Sequence, residues 1–198
     1  MHESTSEVLA TLARLGLLLK QDKQLPNVVG IVTGEALSTS WWSHPKGRLI
    51  FSVLSELSDH PDVLLTKLLQ GKDTFVHRSL WPAFLGVAAS AEPWQLRNLS
   101  TDAHKLLARV NKEGTPIQAS GPAVKELVSR LLVHAEQIHT ESGRHEMALE
   151  SWAVWSVRAG VSPLKPLDRA RKAIEEACRG MNAPMSALPW WSAKKADS

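Results

Sequence analysis

A pair of adjacent tryptophans followed by two cations is the feature of the sequence best suited to ligand chemistry. Trp41 and Trp42 precede Lys46 and Arg48 in the stretch STSWWSHPKGR. An indole ring can stack on a nucleic-acid base, and cations in the first turn of a helix add to the attraction that its free N–H groups exert on anions. The alternative is that one ring packs beneath the following helix and both cations are solvated. Neighbours in an extended segment face opposite sides, so we expect at least one ring to be partly exposed or to cover a second element.

A second group of polar residues surrounds a predicted β-hairpin. The apolar runs 63–69 and 74–80 flank a glycine-containing turn, QGKD, which is a hairpin signal. A hairpin beside a helix can touch nucleic-acid backbone. The nucleic-acid contacts that we expect from the two groups are Trp42, His44, Lys46, Arg48, Lys67, Lys72, His77 and Arg78. Residues 41–80 hold five Lys/Arg against four Asp/Glu, so a hairpin that contacts protein is the alternative.

The histidines are the next candidates for chemistry. His44, His77 and the 139–145 region could supply an acid–base pair or metal ligands, and His139 and His145 with Glu141 and Glu146 come nearest to a ligand cluster. Their spacing fits no single helix face, and the sequence contains no HExxH motif. We therefore predict neither a metal site nor a catalytic residue.

Standard covalent and nucleotide-dependent enzymes are disfavoured. The single cysteine, Cys178, lies in a charged segment with no histidine close to it in the sequence, and it cannot form an internal disulfide. The motifs GxSxG, GxxxxGK[ST] and GxGxxG are missing from the sequence. We expect no cofactor, and we favour a binding protein over an enzyme.

Composition sets the broad class. The chain has 198 residues, 43% of them hydrophobic, with a net charge of +3, eight tryptophans and no tyrosine. This is enough chain to bury a core, and the mild positive charge permits a polyanionic partner without requiring one. The start of the sequence does not resemble a signal peptide, and no apolar run reaches transmembrane length. We expect a cytoplasmic protein without a membrane partner.

The elements that must position these residues are mostly helical. Ser4 and Glu7 form a capping box for a helix over 4–20, a short helix follows Pro26, and a helix from Pro45 to about Ser58 places Ile50, Phe51, Leu54 and Leu57 on an apolar stripe. Three helices followed by a hairpin is the winged-helix order. Further helices are predicted over 81–90, after Ser100, from about Pro122, over 144–160 and after Asp168, and 132–143 fits either a strand or a helix.

We therefore predict a mostly α protein with a small β-hairpin, of the α+β class. Residues 1–92 form a winged-helix-like unit, and 93–160 form a helical unit, with a second winged-helix-like unit as the alternative. Residues 161–198 form a linker, a charged helix with Arg171/Glu175 and Lys172/Glu176 pairs, and an irregular tail.

Part of the chain resembles a family of bacterial proteins of uncharacterised function. The motifs are SWWSHPKG, DHPDV and GKDTFVHRSLWP, which extend from Ser40 to about Leu85, and HTESGRHEMALESWAVW over 139–155 is a weaker match. The resemblance implies no known activity.

Three functions follow as expectations. The first is a non-catalytic module that binds nucleic acid, above all DNA, through the helix after Pro45 and the hairpin. The second is an adaptor that binds a protein partner through exposed tryptophans, at Trp41/Trp42 or Trp190/Trp191. The third is a histidine-dependent enzyme, which requires two histidines and a carboxylate to meet in one cleft.

Overall fold

The structure is a computed structural model that describes residues 2–139 and 145–191. Within these ranges the chain divides into two compact units. Unit 1 comprises residues 2–81 and 172–191, and unit 2 comprises residues 82–139 and 145–171. Both combine helices with a small antiparallel sheet, which confirms the α+β class. The domain boundaries expected from the sequence, which divide the chain into 1–92, 93–160 and 161–198, stay a prediction.

The first segment of unit 1, residues 2–81, contains three helices and a three-stranded sheet. Its elements are α1 (Glu3–Leu15), β1 (Leu17–Leu19), α2 (Val28–Thr33), α3 (Gly47–Ser58), β2 (Val63–Thr66) and β3 (Thr74–His77). The strand order is β1-β3-β2 with antiparallel pairs throughout. The β2–β3 pair is the predicted hairpin. The helices bury their apolar faces in one core with the sheet, including Val8, Leu12, Val28, Ile50 and Phe75.

The first strand corrects the predicted helix over 4–20. Gly16 has a φ of 79°, a left-handed conformation, and its N–H bonds to Leu12 O, so α1 ends at Leu15. A left-handed residue at this position is a usual helix stop. Leu17–Leu19 then pairs with Thr74–Val76, and all three leucines are buried. A strand covered on both faces is apolar at every position, so alternation could not reveal it.

Residues 172–191 belong to unit 1. The charged helix α9 (Leu167–Gly180) contains the unit boundary at Lys172. Beyond it, Trp190 is buried, and the indole N–H groups of Trp190 and Trp191 both donate to Glu175 Oε1. The segment predicted as an irregular tail is therefore packed through its tryptophans as far as Trp191. Arg171 binds Glu92, and Glu175 lies near Arg179; the Arg171/Glu175 and Lys172/Glu176 pairs stay predictions.

Unit 2 repeats the sheet arrangement of unit 1. Its helices and strands are α4, which begins at Trp81 and ends at Ala88, α5 (Pro93–Leu96), α6 (Thr101–Lys112), β4 (Ile117–Ala119), α7 (Pro122–Ser129), β5 (His134–His139), β6 (His145–Glu150), α8 (Trp152–Ala159) and the start of α9. The strand order is β4-β6-β5, again antiparallel. The last strand of the hairpin is thus central in both sheets.

The strand β6 corrects the predicted helix over 144–160. His145–Glu150 reads HEMALE and is rich in helix-forming residues. It pairs with β4 on one side and β5 on the other, so tertiary pairing outweighs local propensity. The helix starts only at Trp152, where the Ser151 side chain accepts from Val154 N.

Candidate nucleic-acid interface

The two tryptophans stack on each other at the start of α3. Residues 41–43 form a 3-10 turn, and the rings of Trp41 and Trp42 lie 4.1 Å apart at 23°. Trp41 is 5% exposed and belongs to the core, while Trp42 is 67% exposed. The expectation that at least one ring is partly exposed or covers a second element is confirmed, and the stack gives Trp42 a fixed aromatic support. A Cβ on Gly47 would lie 3.1 Å from Trp42 O and 3.3 Å from Trp41 O, so a larger residue here would require this backbone to shift slightly.

Phe51 and Arg48 extend this surface along α3. Phe51 is 53% exposed and its ring centroid lies 5.9 Å from that of Trp42. Arg48 is exposed one turn earlier on the same side of the helix, and residues 48–55 contain no carboxylate. We call Trp42, Arg48, Phe51 and Ser55 the aromatic face. The predicted inward position of Phe51 is wrong, because Ile50, Val53, Leu54 and Leu57 already fill the buried stripe.

Two of the expected contact residues, Lys46 and His44, form hydrogen bonds within unit 1. Lys46 Nζ donates to Val32 O at 2.9 Å and to Thr33 O at 3.2 Å, which satisfies carbonyls at the end of α2. His44 Nδ1 accepts from Lys46 N at 3.1 Å. The proton of a neutral His44 ring is therefore on Nε2, which lies 3.0 Å from Glu35 Oε1. The helix also begins at Gly47, two residues after the predicted start at Pro45.

The hairpin cations lie beside carboxylates of unit 1. Lys67 Nζ is 2.6 Å from Asp73 Oδ1, Lys72 Nζ is 2.7 Å from Asp22 Oδ2, and Arg78 Nη1 is 3.5 Å from Asp62 Oδ1. Arg78 also lies 5.4 Å from the centre of the Trp81 ring. His77 Nδ1 lies 2.9 Å from Ser79 Oγ at the end of the hairpin. Each pair lowers the positive potential that the hairpin offers to a phosphate.

Asp22 is the most strongly held of these carboxylates. Its Oδ1 accepts from the N–H groups of Gln24 and Leu25, and its Oδ2 accepts from Lys72. Burial by itself would raise the pKa of Asp22, but these hydrogen bonds and the Lys72 charge outweigh burial and lower it from 3.8 to about 2. The Lys72–Asp22 pair is therefore formed at neutral pH.

The histidines of the described residues do not converge. His44 pairs with Glu35, His60 Nδ1 accepts from Asp62 N, and His134 Nδ1 lies 2.9 Å from Glu150 Oε1. Across residues 2–139 and 145–191, no group of three or more His, Cys, Asp or Glu could hold a metal ion. His139 and His145 are directly opposite in the β5–β6 register, but the predicted cluster extends to Glu141, outside the described residues.

The His134–Glu150 pair is a buried structural link. Glu150 Oε1 also accepts from Arg158, while Oε2 is buried and has no hydrogen-bond partner among the described residues. Burial opposes ionisation of Glu150, yet the hydrogen bonds from His134 and Arg158 hold its pKa below the usual range. The His134 ring lies 5.7 Å from Trp152 and 5.8 Å from Trp155. Together with Arg158, the pair links β5, β6 and α8.

Cys178 lacks the environment of a nucleophile. It is buried in α9, and burial raises the pKa of its thiol to about 12. A thiol with this pKa is almost fully protonated at neutral pH and reacts slowly.

Two further findings bear on function. No helix in the described part of the chain has both the length and the apolar character needed to cross a membrane. Comparison with protein-family models, with curated proteins and with solved structures gave no match. The resemblance of Ser40 to Leu85 to a bacterial family stays a prediction.

Proposed function

We propose that this protein is a non-catalytic nucleic-acid-binding module, most readily a DNA-binding one, in which unit 1 is winged-helix-like. The order α1-β1-α2-α3-β2-β3 with strand order β1-β3-β2 supports the winged-helix assignment. In winged-helix proteins that bind duplex DNA, the corresponding helix enters a groove and the hairpin is the wing; here we expect the same face of α3 to stack unpaired bases. Because a fold does not define a function, the proposal depends on what α3 exposes.

The observation that carries the proposal is the aromatic face. Trp42 offers an indole ring supported from behind by Trp41, and stacking of a base on such a ring is worth about 1–3 kcal/mol. Arg48 supplies a cation on the same side, and Ser55 supplies a small hydroxyl. With no carboxylate in residues 48–55, this side of α3 does not repel phosphate.

The proposal gives the wing a smaller role than α3. Lys67, Lys72 and Arg78 remain candidate contacts, but their carboxylate partners must be displaced or neutralised before they can bind phosphate strongly. Unit 1 as a whole is electrically balanced, with ten Lys/Arg and ten Asp/Glu. We therefore expect unit 1 to bind mainly by stacking, with single strands preferred over duplex because only unpaired bases can cover Trp42.

The experiment is a fluorescence-anisotropy titration of labelled oligothymidylate and of a labelled DNA duplex at low salt. Trp42→Ala should weaken binding of the single strand by roughly 10- to 100-fold, and duplex binding should fall less. Adding Arg48→Ala should weaken both. The control is Val157→Ala with Arg14→Ala, which removes an exposed apolar side chain and an exposed arginine elsewhere. Wild-type protein that binds neither DNA would end the proposal.

A protein adaptor is the second candidate, and one observation favours it. Trp42 and Phe51 form an exposed apolar pair on a unit without net charge, and aromatic residues are enriched at protein interfaces. This candidate would be favoured if wild-type protein binds no nucleic acid and captures a partner that the Trp42→Ala variant does not capture.

A further inference from the structure

The helix α6 carries three cations on its exposed side. Lys105, Arg109 and Lys112 occupy positions i, i+4 and i+7, which lie on one face of an α-helix, and all three are exposed. The helix rises 1.5 Å per residue, so the three α-carbons span roughly 10 Å. We call these residues the α6 stripe.

The α6 stripe differs from the hairpin cations in its ion pairs, as far as the structure describes the chain. Within residues 2–139 and 145–191, no carboxylate lies within ion-pair distance of Lys105, Arg109 or Lys112, although Asp102 and Glu113 are close in sequence. Glu126, the acidic residue bonded at the start of α6, accepts from Ser100 N at 3.1 Å and from Ser100 Oγ at 2.7 Å. Its charge is therefore held at the N-terminus of the helix.

The opposite side of α6 fixes the stripe in place. Ala103 and Val110 are buried in the unit 2 core, and Leu106 and Leu107 pack against the same core. Ser100 Oγ accepts from Ala103 N and caps the helix. The backbone that carries the stripe is thus fixed by packing, and within the described residues its cations need no release from a carboxylate.

We infer that the α6 stripe is a binding surface for the phosphate backbone of nucleic acid. This inference rests on the proposed function and deepens it, since it assigns to unit 2 the electrostatic contacts that unit 1 lacks. Three cations within about 10 Å match a polymer that carries one charge per about 1.7 Å of duplex axis. The exposed neighbours of the stripe, His104, Ala108 and Asn111, offer no large apolar side chain, whereas a helix that binds a lipid surface needs one.

The test compares salt dependence in two charge-matched triple variants of the full chain. One is Lys105→Gln/Arg109→Gln/Lys112→Gln. The control is Lys23→Gln/Lys165→Gln/Arg169→Gln, which removes the same charges from other exposed positions. Affinity for a labelled DNA duplex is measured by anisotropy between about 50 and 200 mM salt. Each lost phosphate contact reduces the slope of log K against log salt by about 0.9, so the stripe variant should lose about 2.7, and the control should keep the wild-type slope.

The outcomes separate the two proposals. If wild-type protein binds DNA and the stripe variant keeps the slope of the control variant, the inference about α6 is overturned while the proposed function stands. If wild-type protein does not bind DNA at all, both fail. Binding to phosphatidylserine vesicles that is lost in the stripe variant, without loss of DNA binding, also overturns the inference, because α6 would then recognise a lipid surface. Circular dichroism of both variants shows that each is folded.

Discussion

Units 1 and 2 share a strand order, but their clustered cations differ in whether carboxylates lie beside them. Each has a three-stranded antiparallel sheet in which the last strand is central. In unit 1 the hairpin cations lie against Asp22, Asp62 and Asp73, and the exposed face of α3 carries Trp42, Phe51 and a single cation, Arg48. In unit 2 the α6 stripe is exposed, and its cations have no ion-pair partner among the residues that the structure describes. The comparison shows that basic residues close in sequence do not by themselves form a polyanion-binding surface, because their partners decide how much charge is available.

The two units also differ in how a buried charge is held. Unit 2 encloses Glu150, which is 3% exposed and bonded to His134 and Arg158. In unit 1 the side chains of Asp62 and Asp73 are partly exposed, and Asp22 is more buried but pairs with the half-exposed Lys72, so each of these ion pairs is open to solvent on at least one side and contributes little to stability. Changes to these groups should therefore have unequal effects.

The largest expected effect separates the two stacked tryptophans. Trp41→Ala removes a core side chain and should lower the free energy of unfolding by about 3–5 kcal/mol. Trp42→Ala removes an exposed ring and should cost about 1 kcal/mol, mainly from the lost stacking. Urea unfolding followed by circular dichroism measures both. Equal losses would contradict the division of the pair into a core residue and a binding residue.

Replacing the buried carboxylate of unit 2, Glu150, should cause a smaller loss of stability. Glu150→Ala leaves His134 and Arg158 without their shared acceptor and should destabilise the protein by roughly 2–3 kcal/mol. The unpartnered Oε2 reduces the loss, since that atom is buried at a cost in the wild-type protein. Glu136→Ala on the neighbouring strand β5 is the control, because Glu136 is exposed. Thermal unfolding that moves equally in both variants would rule out the proposed link.

The smallest effect concerns Asp22 and Lys72, and it depends on pH. Asp22 has a pKa of about 2 in the folded protein, below its ordinary 3.8, so its stabilising contribution is complete above about pH 4 and disappears as the pH falls through about 2. A double-mutant cycle with Asp22→Asn and Lys72→Gln should give a coupling of about 0.5 kcal/mol at pH 7. A coupling that grows as the pH falls from 4 to about 2 would contradict the pairing.

Much of the fold was readable from local signals. The Ser100 cap, the Pro122 helix start and the glycine turn of the hairpin predicted α6, α7 and the β2–β3 pair, all of which the structure contains. The strands β1 and β6 were missed, because the first is apolar at every position and the second consists of helix-forming residues. Both become strands through pairing with residues distant in sequence, which local patterns do not contain.

The candidate site was less predictable than the fold. An exposed tryptophan was expected from an extended segment, but the segment is a 3-10 turn in which the two rings stack. The roles of Lys46 and Lys72 depend on Val32 and Asp22, which are 14 and 50 residues away. The α6 stripe was present in the sequence as an i, i+4, i+7 pattern of cations. It was overlooked because nothing in the sequence shows which cations lack a carboxylate partner.

The most direct test of the difference between the units is a salt titration of DNA binding with two triple variants. One removes the hairpin cations, as Lys67→Gln/Lys72→Gln/Arg78→Gln, and the other removes the α6 stripe. We predict that the stripe variant lowers the slope of log K against log salt by about 2.7, while the hairpin variant lowers it by less than about 0.9, the value of one phosphate contact. A larger loss in the hairpin variant than in the stripe variant would contradict the account.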